Sequence, residues 1–181
     1  STLLIIVNKT THEKRFIKIS HIMHNNFKEE FDKVKQVYNT IPQHTYKPYS
    51  MIYVKKSSET LLHGYMMDVV PGFTAQSILN QVTSLMNEGK ATIDHKYIIA
   101  KSILSGVIDI FNIIYQTFPN FAHNDMHLGN VMVDADLTNF KVNKVYLIDF
   151  GISIMNRLQN KITSYSIYPQ YDFLQYQKFY D

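Results

Sequence analysis

The sequence predicts an α+β protein with two lobes. Residues 1–70 read as a small antiparallel-sheet lobe with one helix, and residues 71–181 as a reduced, mostly helical lobe. Three observations predict this. Four strand-like runs in the first 70 residues flank a single helical stretch with one apolar face. Two further helical stretches follow. After them come a polar loop, two short apolar runs separated by a turn, and Asp149-Phe150-Gly151. A chain of 181 residues is long enough for two such lobes with a real core.

Leu3–Val7 is a strong strand, Asn8 to Glu13 a polar turn, and Arg15–Ile19 the next strand, which makes a hairpin. The spacing predicts a helix over 26–40, with Asn25 or Asn26 as its cap. Its apolar face is Phe27, Phe31, Val34, Tyr38 and Ile41. Tyr49–Lys55 and Leu61–Met67 form a second hairpin around Lys56 to Glu59. Pro71-Gly72 then breaks the chain. Thr74 to Met86 forms a short helix, ended by Asn87 to Lys90. His95 to Phe118 forms a long one that buries Ile99, Ile103, Val107, Ile110, Ile114 and Phe118. His63 and His95 read as plain strand or surface histidines. Val131–Val133 and Val145–Ile148 are short buried strands of a third hairpin, with the polar segment from Asp134 to Asn143 between them. Asp134-Ala135-Asp136 lacks the Gly and the distal Glu of a calcium loop and reads as turn.

The chemistry lies in His123-Asn124-Asp125-Met126-His127-Leu128-Gly129-Asn130, taken with Asp149-Phe150-Gly151. The loop Asp and Asn precede the first strand of the hairpin and the second Asp follows the second strand, so the hairpin brings the three oxygen-bearing side chains together. Phosphoryl transfer needs a carboxylate to orient the attacking hydroxyl and oxygen ligands to hold Mg²⁺ on the phosphates. Asp125 suits the first task, and Asn130 and Asp149 the second.

Catalytic loop 123–130 and Asp-Phe-Gly 149–151 resemble the H-R-D-x-x-x-x-N and D-F-G motifs of the protein-kinase-like superfamily. The resemblance implies a bilobal protein-kinase-like fold and an ATP- and Mg²⁺-dependent phosphotransferase. Asp125 is then the base, Asn130 and Asp149 are the metal ligands, and Lys18 and His127 complete the catalytic set, His127 contacting the γ-phosphate with a charge that depends on pH. Lys18, in Arg15–Ile19, is similar to the V-A-I-K lysine that holds the α- and β-phosphates. Its partner is Glu29 or Glu30. At about 100° per residue, Glu30 lies roughly 60° from the centre of the apolar face and Glu29 nearly opposite, so Glu30 is the choice. Tyr65 to Gly72 resembles the hinge between kinase lobes, with Met67 behind the adenine and backbone hydrogen bonds offered by Asp68 and Val70. Met132 completes the cofactor-binding set. Asp172 resembles a structural Asp at the start of a later helix.

Four departures shape the functional expectation. Only two strands fit before Lys18, without a Gly-rich loop. Asn124 replaces the Arg that reads a phosphorylated activation loop. His127 stands where most protein kinases have Lys, as in haspin-like kinases and in aminoglycoside and choline phosphotransferases. Gly151 to Asp172 is short and has no A-P-E. Strand alternation also places Phe16 on the face of Lys18, where Ala usually roofs adenine. The leading expectation is a compact, divergent Ser/Thr protein kinase. The alternatives are a small-molecule kinase, favoured by His127 and the missing A-P-E, and a pseudokinase interaction module, favoured by Phe16 and the absent glycines.

Composition narrows the partners. A net charge of +3 fits an anionic partner such as ATP, and with Arg only at 15 and 157 a dense nucleic-acid patch is not expected. Cysteine is absent, which excludes disulfides and a Cys-based metal site. No apolar run approaches the roughly 18 residues of a membrane span, and no signal peptide is visible. An ATP-using site implies an intracellular, cytoplasmic location.

Overall fold

The computed structural model describes residues 2–20, 27–56 and 60–155. The chain divides into two compact units, Ser1–Val70 and Pro71–Asp181. Asp172 lies outside the described residues.

The first unit is an antiparallel four-stranded sheet with one helix. Its strands are β1 (Thr2–Val7), β2 (Lys14–Ser20), β3 (Pro48–Lys56) and β4 (Thr60–Asp68), in the order β1-β2-β4-β3. β2 pairs with β4 so that Phe16 faces Met67 and Lys18 faces Tyr65. The turn before β2 is closed by Asn8, whose Oδ1 accepts from the backbone N–H groups of Thr10 and Thr11. β1 lies at the edge of the sheet and leaves Leu3, Leu4, Ile5, Ile6 and Val7 exposed.

Helix α1 (Phe27–Thr40) packs on β3 and β4. Phe27, Phe31, Val34 and Val37 are buried, and Ile41 just beyond the helix is buried as well. The expected Tyr38 is only half-buried. Val37 and Tyr38 both lie near the apolar stripe, and the smaller aliphatic chain takes the core position. Glu29 points to solvent and pairs with Lys33 one turn on. Glu30 turns inward.

The second unit opens with Gly72 at φ 90°, a conformation few side chains adopt. A Cβ there would lie 2.1 Å from the carbonyl oxygen of Val133, so the close approach of this segment to the hairpin needs glycine. That approach creates a strand absent from the expectation, β5 (Phe73–Thr74), which pairs with Val133 and Met132. Two residues are too few to show a period. Thr74 also caps α2 (Ala75–Asn87) by accepting from Ser77 N–H at 3.2 Å.

Helix α3 (Ile93–Thr117) buries Ile99, Ile103, Val107, Ile110, Phe111 and Ile114. Phe111, adjacent to Ile110, was not expected in the core, and Phe118 is only half-buried. The helix packs on α2 and on β7 (Lys141–Leu147). Gly106 allows the second contact, since a Cβ there would meet the Val145 side chain at 2.7 Å. Among the described helices, α3 is long and apolar enough to cross a membrane by length and composition, and one stripe of it, Ile99, Ile103, Val107, Ile110 and Ile114, is buried within the second unit. His95 is not the plain surface residue expected. It forms a reciprocal capping box with Thr92 and stacks flat on Phe140, with ring centroids 3.9 Å apart.

β6 (Val131–Asp136) and β7 complete a sheet of order β5-β6-β7. Both strands run further than expected. Asp134 and Asp136 belong to β6, and the turn shrinks to residues 137–140. Asp136 closes that turn by accepting from Thr138 N–H and from the Asn139 side chain, which holds its carboxyl below the usual carboxylate range.

Candidate active site

In the second unit, the loop before β6 and the segment after β7 are tied together by main chain. Ala122 and Ile154 form an antiparallel bridge, exchanging N–H to O bonds of 2.9 and 2.8 Å. Asn124 donates its side-chain N–H to the Ile152 carbonyl at 3.1 Å, and Ser153 Oγ donates to the His123 carbonyl at 3.1 Å. Asn124 and Asp149 both adopt positive φ, near 62° and 61°, a conformation Asn and Asp tolerate better than most residues. Asn124, expected only as a missing Arg, is therefore a structural tie.

Phe150 is fully buried, with its ring 5.0 Å from that of His123 and 6.5 Å from that of Phe121. His123 is fully buried and its Nε2 lies 3.1 Å from the Ile148 carbonyl. A carbonyl only accepts, so Nε2 carries the proton. Burial drives the His123 pKa down from 6.5 to about 4, and the imidazole stays neutral. The unfolded chain then binds a proton between pH 6.5 and 4 that the folded chain refuses. The stability from neutral His123 is fully present above pH 6.5 and is lost as pH falls toward 4. Wild type should lose about 3 kcal/mol more over this window than His123→Gln, measured by urea denaturation. Parallel losses would contradict the assignment.

Asp125 and Asn130 are joined twice. The Asn130 side-chain N–H group donates to the Asp125 carbonyl at 2.8 Å and to its carboxylate Oδ2 at 3.1 Å. Asn130 is buried and Asp125 half-buried. With its nitrogen turned to Asp125, the amide presents Oδ1 as its acceptor. The Asn130 carbonyl accepts from Ile148 N–H at 3.0 Å, so Asp149 is one residue from a main-chain bond to Asn130. The hairpin thus brings the main chain of Asn130 and of the Asp-Phe-Gly segment together at its base. Among the described residues, no group of three or more His, Cys, Asp or Glu side chains is placed to hold a metal. One amide oxygen and one carboxylate fit Mg²⁺, which draws its remaining ligands from water and phosphates. They do not fit a dedicated transition-metal cage.

His127 caps the single 3-10 turn Leu128–Asn130, its Nδ1 accepting from Gly129 N–H at 3.0 Å. Met132 is half-buried in β6, opposite Thr74 and Tyr146.

In the first unit, Lys18 Nζ lies 2.7 Å from Glu30 Oε1. Both side chains are nearly buried, at 10% and 12% exposure. The same Oε1 accepts from the Tyr65 hydroxyl at 2.9 Å, and the Tyr46 and Tyr65 hydroxyl oxygens are 3.2 Å apart. The sequence reading named Tyr65 only as the start of the hinge-like segment and gave neither tyrosine a part beside Glu30. The available signal was register: Tyr65 sits two residues before Met67, on the same strand face, directly across from Lys18. Met67 is buried between Phe16 and Pro48 in the sheet. Asp68 N–H is already donated to the Lys47 carbonyl at 3.0 Å, so only the Asp68 carbonyl is a candidate for a ligand. The Asp68 carboxylate accepts from Tyr49 OH at 2.7 Å, and Arg15 lies over the Tyr49 ring. Val70 is half-buried at the end of the unit.

A four-stranded sheet with an inward Lys–Glu pair, followed by a helical unit with an Asp–Asn loop and Asp-Phe-Gly on one hairpin, defines a phosphotransferase of the protein-kinase-like superfamily. The chain belongs to the ecdysteroid kinase-like family, whose model matches residues 9–163. No curated protein matches it. The match backs the small-molecule alternative in preference to the Ser/Thr protein kinase expected first.

Proposed function

We propose that this protein transfers the γ-phosphoryl group of ATP to a hydroxyl of a small molecule. The observation that carries the reading is the Asp125–Asn130 pair at the base of the hairpin that ends in Asp149. Asp125 orients the substrate hydroxyl and takes its proton as the new O–P bond forms and the bond from the γ-phosphorus to the bridging oxygen breaks, with ADP leaving. Asn130 holds Asp125 through its nitrogen and offers Oδ1 beside the Asp149 carboxylate to Mg²⁺. Mg²⁺ held there would supply neutralisation of phosphate charge. Lys18, aligned by Glu30, holds the α- and β-phosphates. The superfamily resemblance assigns adenine contacts to Met67, the Asp68 carbonyl and Val70 in the first unit, and a part in cofactor binding to Met132 in the second.

The family description points to a steroid alcohol as the acceptor class. An inward Lys–Glu pair also favours an active enzyme over a pseudokinase. Incubation with γ-labelled ATP and Mg²⁺, offered polyhydroxylated steroids, other small alcohols or a protein mixture, tests the reading. Label in a small-molecule product supports it. Label in protein alone would restore the protein-kinase reading.

A further inference from the structure

Superfamily members commonly switch by moving the helix that carries the lysine's partner. Here that helix is fastened from behind. Tyr65 donates to Glu30, because a carboxylate only accepts, and a hydroxyl has one proton. Tyr46 must therefore donate to Tyr65. The bonds run in one direction: Tyr46 to Tyr65 to Glu30 Oε1, with Lys18 arriving at the same oxygen from the other side. Tyr65 is fully buried and Tyr46 is 4% exposed. Phe27 and Phe31, on Glu30's own helix, pack against the Tyr65 ring with centroids 5.4 and 5.6 Å away. Withdrawing α1 would break the bond to Glu30, strand a buried hydroxyl proton and separate these rings.

We propose that Tyr65, itself hydrogen-bonded by Tyr46, is a positioning residue that latches Glu30 onto Lys18 before nucleotide arrives. Nucleotide then meets a lysine already in place, and affinity is not reduced by the fraction of molecules with the pair open. Burial and the Glu30 charge raise the Tyr65 pKa above the usual phenol range, so the latch keeps its proton at any ordinary pH.

The inference rests on the proposed function only for its effect on ATP, so the test has two readouts. The first needs no nucleotide: the rate at which Lys18 is acylated by an amine-reactive ester, followed by mass spectrometry. Tyr65→Phe keeps the ring and should raise that rate at least about threefold. The second is ATP·Mg²⁺ affinity by calorimetry, expected to fall about tenfold. In a Glu30→Gln background Tyr65→Phe should change neither readout further. Tyr46→Phe should move both in the same direction by a smaller factor, and it carries the test if Tyr65→Phe does not fold. Unchanged Lys18 labelling in both variants would overturn the latch, as would an equal effect with or without Glu30. Faster labelling in a protein that never binds ATP would uphold the latch and reject the proposed function.

Discussion

Asp125→Asn is expected to lower phosphoryl transfer by about 10²- to 10⁴-fold while nucleotide affinity stays within about threefold of wild type. In the proposed mechanism the carboxylate orients and deprotonates the acceptor, whereas nucleotide is held by other groups. The geometry makes this a clean test. Asn130 is anchored to the Asp125 backbone carbonyl at 2.8 Å as well as to the carboxylate at 3.1 Å. An amide at position 125 keeps the side-chain volume and the main-chain anchor, so Asn130 should stay where it is. Single-turnover rates and equilibrium nucleotide titration on the same preparation separate the two effects. Transfer within threefold of wild type would remove Asp125 from the role of base. A matching loss of affinity would make it a nucleotide-binding group instead.

Lys18→Met should do two kinds of damage that a second substitution can pull apart. Glu30 would keep Tyr65 as a donor but lose its counter-charge at 12% exposure. Breaking a buried ion pair from one side typically costs about 3–5 kcal/mol, because the remaining charge is left uncompensated. Denaturant unfolding of the first unit should show a loss of about 3 kcal/mol. Adding Glu30→Gln removes the stranded charge and keeps an acceptor for Tyr65, so most of that stability should return. ATP affinity should not return, because the phosphates still lack a cation on β2. If affinity recovers with stability, Lys18 is a structural residue only. Exchanging the charges, Lys18→Glu with Glu30→Lys, should likewise fail to restore activity.

Much of this was legible in the sequence because the signals were local. Alternation put Lys18 on one strand face, and helical phasing chose Glu30 over its neighbour; the 2.7 Å pair and the Glu29–Lys33 surface pair agree with that phasing. Likewise a loop Asp, a loop Asn and Asp-Phe-Gly around one hairpin can converge in few ways. What escaped was set by long-range packing. Tyr65 becomes a partner of Glu30 only once β2 and β4 are in register and α1 lies across them. β5 exists because Gly72 lets a two-residue segment approach Val133. His95, a local cap with Thr92, becomes an aromatic platform only when Phe140, 45 positions on, arrives beside it. The substrate class turned on the choice between two readings of His127 and a missing A-P-E. The family match tipped that choice toward small molecules.

On the proposed function, Asn130 and Asp149 hold Mg²⁺ for a bound nucleotide. Thermal unfolding with and without saturating ATP and Mg²⁺ tests it most directly. A ligand at 100 times its dissociation constant stabilises the folded state by about 2.7 kcal/mol, which for a chain of this size raises Tm by about 5–10 °C. We expect that rise in wild type, a much smaller one when Mg²⁺ is withheld, and no Mg²⁺ dependence in Asp149→Ala. An unchanged Tm at millimolar ATP and Mg²⁺, or a full Mg²⁺-dependent rise in Asp149→Ala, would contradict the site.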